Sequence, residues 1–323
     1  MASPLAAPPL VFYLAVAIGV GVVSAMFYLS VLFGGVGALI LGYLAPLPLF
    51  LAGLWLGSTA AIIAGTAGTV AVLAVSSSLL VALAYLVTGA FPVVLVVRQA
   101  MLARTAASGG IEWYPPGRLL MGLVGMGLAA LLGAAVLTLD QPGGLEGAVR
   151  ETLARMTDQI FATQGQQAPD PQDFWMAEVL PGLAVISWLT MTIVNAALAQ
   201  GALMRFNRNR RPPMRLVDLE LPAWLPPVFL AAVLAASVAP DPVSFLAVNT
   251  ALVLALPFAF VGLSVVHAAA RGRSAKVPVL VGFYMFLFLF GWPIVLMVGL
   301  GMIEQWIGLR RRFRTAGPDQ EDE

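Results

Sequence analysis

The chain has 323 residues, of which 60% are hydrophobic and only 10% charged, with a net charge of +1 and a mean hydropathy of +0.93. Soluble domains carry about a quarter charged residues, so a chain of this composition cannot cover itself with a polar surface. It has no cysteine, which excludes disulfides, thiolate zinc sites, iron–sulfur ligation and cysteine nucleophiles.

From Met1 to Val97 there is no Asp, Glu, Lys, Arg or His at all. The first residues lack the basic start of a signal peptide and the apolar run that follows is far too long for one, so no cleaved leader is expected. A helix crossing the hydrocarbon needs about 20 apolar residues, and the block from Leu10 to Val97 has room for four. Breaks are expected at Gly34-Gly35, at Gly57-Ser58 and around Ser76-Ser77-Ser78. In the first span Ala15 and Gly19, Ala17 and Gly21, and Gly21 and Ala25 form small-x-x-x-small pairs, a spacing that lets another helix approach closely.

Further spans are expected at 119–139, 180–204, 225–239 and 243–267, making eight. Between the fifth and sixth, residues 140–178 read as an external loop. Leu145, Val149, Leu153, Met156 and Ile160 recur there at spacings of three and four, the pattern of an amphipathic helix resting at the interface or covering the bundle. Residues 164–173 read as linker. The stretch 277–309 would be about 50 Å long as one helix, against a hydrocarbon core of about 30 Å; it is expected to fold as a hairpin broken at Gly291-Trp292-Pro293. The expected fold is therefore all-α: one polytopic helical membrane domain over residues 1–315, with about eight transmembrane helices plus a C-terminal hairpin. Residues 316–323 read as a disordered acidic tail.

Fifteen of the 17 Lys and Arg fall in four clusters, at 98–118, 205–215, 271–276 and 310–314. With the spans above all four share one face, which the positive-inside rule assigns to the cytoplasm of a bacterial inner membrane, with both termini on that side. Topology accounts for these clusters without nucleic acid, which is not expected as a partner. Anionic membrane lipid is expected to meet the cluster of Arg205, Arg208, Arg210, Arg211 and Arg215.

Polar groups inside a bilayer are costly and mark sites or helix–helix hydrogen bonds. Asn195, Asn249, Tyr43, Arg98 and Glu304 are the candidate ligand contacts. Each has an alternative structural reading: bonding between helices for Asn195, Asn249 and Tyr43, snorkelling to the interface for Arg98, and neutralisation by nearby arginine for Glu304. His267, the one histidine, lies three residues after Ser264, but no G-x-S-x-G, H-E-x-x-H or P-loop is present. No catalytic residue, metal or cofactor is expected, and an intramembrane enzyme is the weakest reading.

Tyr43 to Gly57, YLAPLPLFLAGLWLG, and Leu300 to Phe313, LGMIEQWIGLRRRF, resemble the second helix and closing segment of the YybS-like family of bacterial membrane proteins. Glu304 stands where that family typically has Asp. The family is similar to the substrate-binding subunits of energy-coupling-factor transporters and to the rod-shape protein MreD. The resemblance implies a non-enzymatic subunit that binds a small ligand or docks a membrane partner, with a scaffold for cell-envelope or cell-shape assembly as the alternative. It also implies that small residues of the first helix, here Ala15, Gly19, Ala17, Gly21 and Ala25, contact the partner.

Overall fold

The computed structural model describes residues 9–107, 109–163, 175–271 and 275–311. The expected linker at 164–173 and acidic tail at 316–323 lie outside them. Within the described residues seven helical segments are long and apolar enough to cross a membrane, and an eighth arises if one sharply bent pair is a single span.

The charge-free block yields four spans, broken where turn-prone residues stand. Helix α1 (Leu10–Leu29) ends in a 3-10 turn, Ser30–Phe33, and stops at Gly34 and Gly35, whose φ of +71° and +86° only glycine adopts at little cost. The second span is itself divided into α2 (Val36–Tyr43) and α3 (Pro46–Leu56), a break inside the expected helix. Gly57, at φ +111°, separates it from α4 (Ser58–Ser76). At Ser78 the side chain accepts from the Val81 amide and caps α5 (Leu79–Tyr85), which continues through a π-helical turn at Leu86–Ala90 into α6 (Phe91–Ala100).

The chain is all-α as expected, and one short ribbon interrupts its helices. Residues Ala103–Thr105 and Ile111–Trp113 pair as a short antiparallel ribbon, tied by an Arg104–Glu112 ion pair at 2.7 Å. Helices α7 (Pro116–Leu137), α8 (Gly144–Thr163), α9 (Leu180–Arg205), α10 (Leu225–Val238) and α11 (Val243–Ala270) follow. The amphipathic pattern of the loop is a helix, α8, stitched along itself by Glu146–Arg150 and Glu151–Arg155 pairs. The expected crossing at 225–239 is a 14-residue helix, α10. At about 21 Å it is shorter than the hydrocarbon core.

The last apolar stretch breaks where glycine and proline predict. Helices α12 (Lys276–Phe290) and α13 (Pro293–Ile307) meet at a 120° bend, with Gly291 at φ +68°. Pro293 has no amide to extend α12 across the break.

The chain packs as two compact units: residues 1–115 with 188–213, and residues 116–187 with 214–323. In the first, α1 lies against α4 through small residues. A Cβ on Gly21 would collide with the Ala64 carbonyl, and Gly68 leaves room for the Tyr85 hydroxyl. In the second, α11 and α13 cross at paired glycines. Gly262 sits on the Met297 carbonyl and Gly301 on the Phe258 carbonyl, each glycine four residues from the other helix's contact point.

Candidate functional site

A helix broken inside a membrane frees backbone carbonyls, and lipid has nothing to offer them. In the first unit the break between α2 and α3 frees the Tyr43 carbonyl, because the Leu47 amide turns back to Leu44 at 3.0 Å. Asn195 Nδ2 donates to that carbonyl at 2.7 Å and to Met191 at 2.8 Å. Ser24 donates to the Ala45 carbonyl at 2.6 Å and bonds the Tyr85 hydroxyl at 2.8 Å. Asn195 and Tyr43 thus come together, through the tyrosine's backbone: its side chain is exposed. Asn195 is 1% exposed and its Oδ1 has no hydrogen-bond partner among the described residues. Arg98 ends α6 exposed, at a helix C-terminus where a cation is favourable.

In the basic cluster after α9 one arginine is turned inward while Arg205, Arg208, Arg210 and Arg215 are exposed. Arg211 is 5% exposed; its guanidinium donates to the Ala100 carbonyl at 3.0 Å and the Tyr114 carbonyl at 2.8 Å, beside the Trp113 ring. Burial lowers its pKa, but a guanidinium stays charged. Arg208 lies over Trp55 at 5.5 Å. These two arginines fasten loops to helix ends.

Asn249, in the second unit, is bonded on both sides of its amide. Its Oδ1 accepts the Gly182 amide at 2.6 Å, one of the donors that the start of α9 leaves unpaired, while Nδ2 donates to the Glu178 and Phe245 carbonyls at 2.8 Å. It caps a neighbouring helix with both amide hydrogens used, and Oδ1 keeps one lone pair. His267 and Ser264 are likewise turned to their own helix: Ser264 donates to Val261 at 2.6 Å, and His267 Nδ1 lies 2.9 Å from the Leu263 carbonyl. No bond joins the two. Among the described residues no group of His, Asp and Glu is placed to hold a metal.

Glu304 borders a cavity. Helix α13 ends at Ile307, and Gly308, in the left-handed conformation at φ +65°, turns the chain so that Arg310 folds back onto it. Arg310 Nε donates to Glu304 Oε1 at 2.7 Å, and Nη1 donates to the Val217 and Leu219 carbonyls at 3.1 and 2.8 Å. The carboxylate side chain is 3% exposed. Beside this buried pair is a pocket of about 380 Å3, with Glu220, Arg271, Glu304, Arg310 and Arg311 among its lining residues and Leu221, Trp306 and Ile307 as its apolar wall. Its size is at the lower end of small-ligand clefts, about 300–1,000 Å3.

The candidates therefore do not converge on one site. Asn249 and Ala268, the pocket residue on the same helix, are 19 positions apart in α11, about 28 Å along the axis. Sequence reasoning missed Glu220 and Arg271 as pocket residues. The available signal was that Asp218 and Glu220 are acids set just after a basic run, and Asp218 pairs with Arg215 at 3.5 Å. The small-residue face of α1 is also partly spent: Ala17, Gly21 and Ala25 are buried within the unit, whereas Ala15 and Gly19 are exposed and a Cβ on Gly19 would meet nothing.

Neither a family model, a curated protein nor a solved structure matches the chain. The long apolar helices define a membrane protein; its activity has to be argued from the arrangement of side chains.

Proposed function

We propose that the chain is a non-enzymatic multi-pass protein of the bacterial inner membrane that binds a small ligand, in the manner of a transporter's binding subunit, with its basic loops and both termini in the cytoplasm. The observation that carries this reading is the pocket at the ends of α11 and α13. Charged side chains gather there around a buried, hydrogen-bonded Glu304–Arg310 pair, and a buried pair fixed on both sides is a rigid wall for a site. The orientation rests on the second unit, where Arg215, Arg271, Arg310 and Arg311 lie near one end of α11 and Glu178 near the other.

Purified protein should release about one bound molecule per chain on denaturation, and Ala268→Trp, which fills the pocket, should deplete it. Equal contents in the two proteins would end the reading. The resemblance to the YybS-like family agrees with a binding or docking role and is part of the same proposal.

A second reading, a scaffold for envelope or cell-shape assembly, is favoured by a different observation. The Ala15–Gly19 strip of α1 is left exposed while the neighbouring small residues are consumed by α4. Photo-crosslinking from position 19 in native membranes should then capture a second protein, and loss of the gene should alter cell shape. Capture of lipid alone with normal morphology removes it.

A further inference from the structure

We propose that the ligand of this pocket is a phosphoethanolamine group carried by a membrane lipid. The inference rests on the binding reading above and names its chemistry. Three arginines and two glutamates line the cavity. Glu304 and Arg310 are spent on one another and on backbone carbonyls. Arg271 and Glu220 are different: both are exposed and neither has an ion pair or side-chain hydrogen bond among the described residues. Arg311, the third arginine, is not without a partner, so the guanidinium and the carboxylate left without an ion pair among the described residues are those of Arg271 and Glu220.

Two helices end at its edge, α11 at Ala270 and α13 at Ile307. Helix C-termini carry partial negative charge and unpaired carbonyls, which attract a cation and oppose an anion. A phosphate alone would gain Arg271 but meet Glu220 and the two helix ends. An ammonium alone would gain Glu220 and the carbonyls but meet Arg271. A group bearing both charges a few bonds apart satisfies both sets: phosphate oxygens accept from the planar guanidinium, and a primary ammonium donates to the carboxylate and carbonyls. A quaternary ammonium has no N–H to donate.

The lipid form of this group follows from the apolar side of the cavity. Trp306 is 66% exposed and Ile307 48%, and Ile303, one turn back, continues the same exposed apolar surface along α13. Acyl chains attached to a headgroup in the pocket have that surface to run along, and tryptophan at the headgroup level is usual for membrane helices.

The test is native mass spectrometry of the full chain from micelles loaded with equal amounts of phosphatidylethanolamine, phosphatidylglycerol and phosphatidylcholine. The wild type should keep phosphatidylethanolamine about tenfold over phosphatidylcholine, the order expected from losing one charge-assisted contact set. Glu220→Gln should abolish most of that preference and Arg271→Ala should lower retention of phosphatidylethanolamine and phosphatidylcholine alike by about tenfold, whereas Arg98→Ala, an exposed arginine of the other unit, should leave both intact. Both pocket substitutions are at exposed side chains, and unchanged melting temperatures verify that the fold is kept. Equal retention of the three lipids, a preference that survives Glu220→Gln, or lipid retention unchanged by Arg271→Ala overturns the inference. A preference for phosphatidylglycerol does so as well, because it leaves the ammonium without a role. Displacement of the lipid by soluble phosphoethanolamine at equal concentration overturns the lipid source. If the pocket retains a molecule with no phosphate, this inference falls and the binding reading stands; if it retains nothing, both fall.

Discussion

The indole nitrogen of Trp188 donates to the carbonyl of Thr88 at 2.7 Å. An α-helix would pair that carbonyl with the amide four residues on, and residue 92 is proline. The side chain supplies the donor that the backbone lacks. Trp188→Phe should destabilise the protein by about 0.6–1.7 kcal/mol, the range of hydrogen bonds between membrane helices. In a Pro92→Ala background the same substitution should cost less, because an amide is restored. Unfolding in mild detergent measures the difference, and equal costs in the two backgrounds would refute the compensation.

Asn249 and Asn195 are both buried amides, yet their losses should differ. Asn249→Leu removes three bonds and strands the Gly182 amide, whereas Asn195→Leu removes two and also deletes an acceptor that had no partner. Stability loss should be larger at 249, by about 1 kcal/mol or more. A ligand-binding role for Asn249 would instead leave stability nearly unchanged.

At the α11–α13 crossing, Gly262→Ala or Gly301→Ala drives a methyl into a backbone carbonyl and should cost about 1–3 kcal/mol. Gly299→Ala, two positions from Gly301 on the same helix, meets nothing within 4 Å. It should be neutral or slightly stabilising, since alanine is the better helix former. Comparing melting temperatures of the three proteins checks this.

Removing one partner of a buried ion pair leaves the other charge uncompensated, at about 3–5 kcal/mol. Arg310→Ala leaves the buried Glu304 carboxylate unpaired, so it should be severely destabilising. Glu304→Ala should cost less, since Arg310 keeps the Val217 and Leu219 carbonyls. Equal losses would show that the carbonyl contacts contribute nothing.

The absence of cysteine from the sequence makes orientation directly readable. A single cysteine at Gln141 should react with a membrane-impermeant maleimide in intact cells, and one at Asn209 only after the membrane is broken. The reverse pattern would invert the proposed topology.

The helices were legible because long charge-free runs have one outcome in lipid, and their ends were legible where glycine, serine or proline interrupts them, as at Gly57, Ser77 and Gly291. The break at Tyr43–Pro46 was not, because Pro46 also fits a continuous kinked helix; the decision lies with Ser24 and Asn195, which satisfy the freed carbonyls from elsewhere in the chain. The bounds of α10 were legible to within one residue, 225–239 against Leu225–Val238; that 14 residues fall short of the hydrocarbon thickness was not weighed. Glu304 could be recognised as the one acid among arginines. The pocket beside it could not, since Glu220 and Arg271 come from segments that only folding brings to α13.

The carbonyls at Tyr43 and Thr88 are served by residues 152 and 100 positions further on. At about 5–20 residues per second of synthesis, each emerges into the membrane between about 5 and 30 seconds before its donor exists. For that interval two early helices carry open acceptors in a medium without water, and they need temporary shelter at the insertion machinery until α9 arrives. The order of manufacture thus sets when the first unit can close, and a chain truncated before Trp188 would be left with defects that no local repacking can mend.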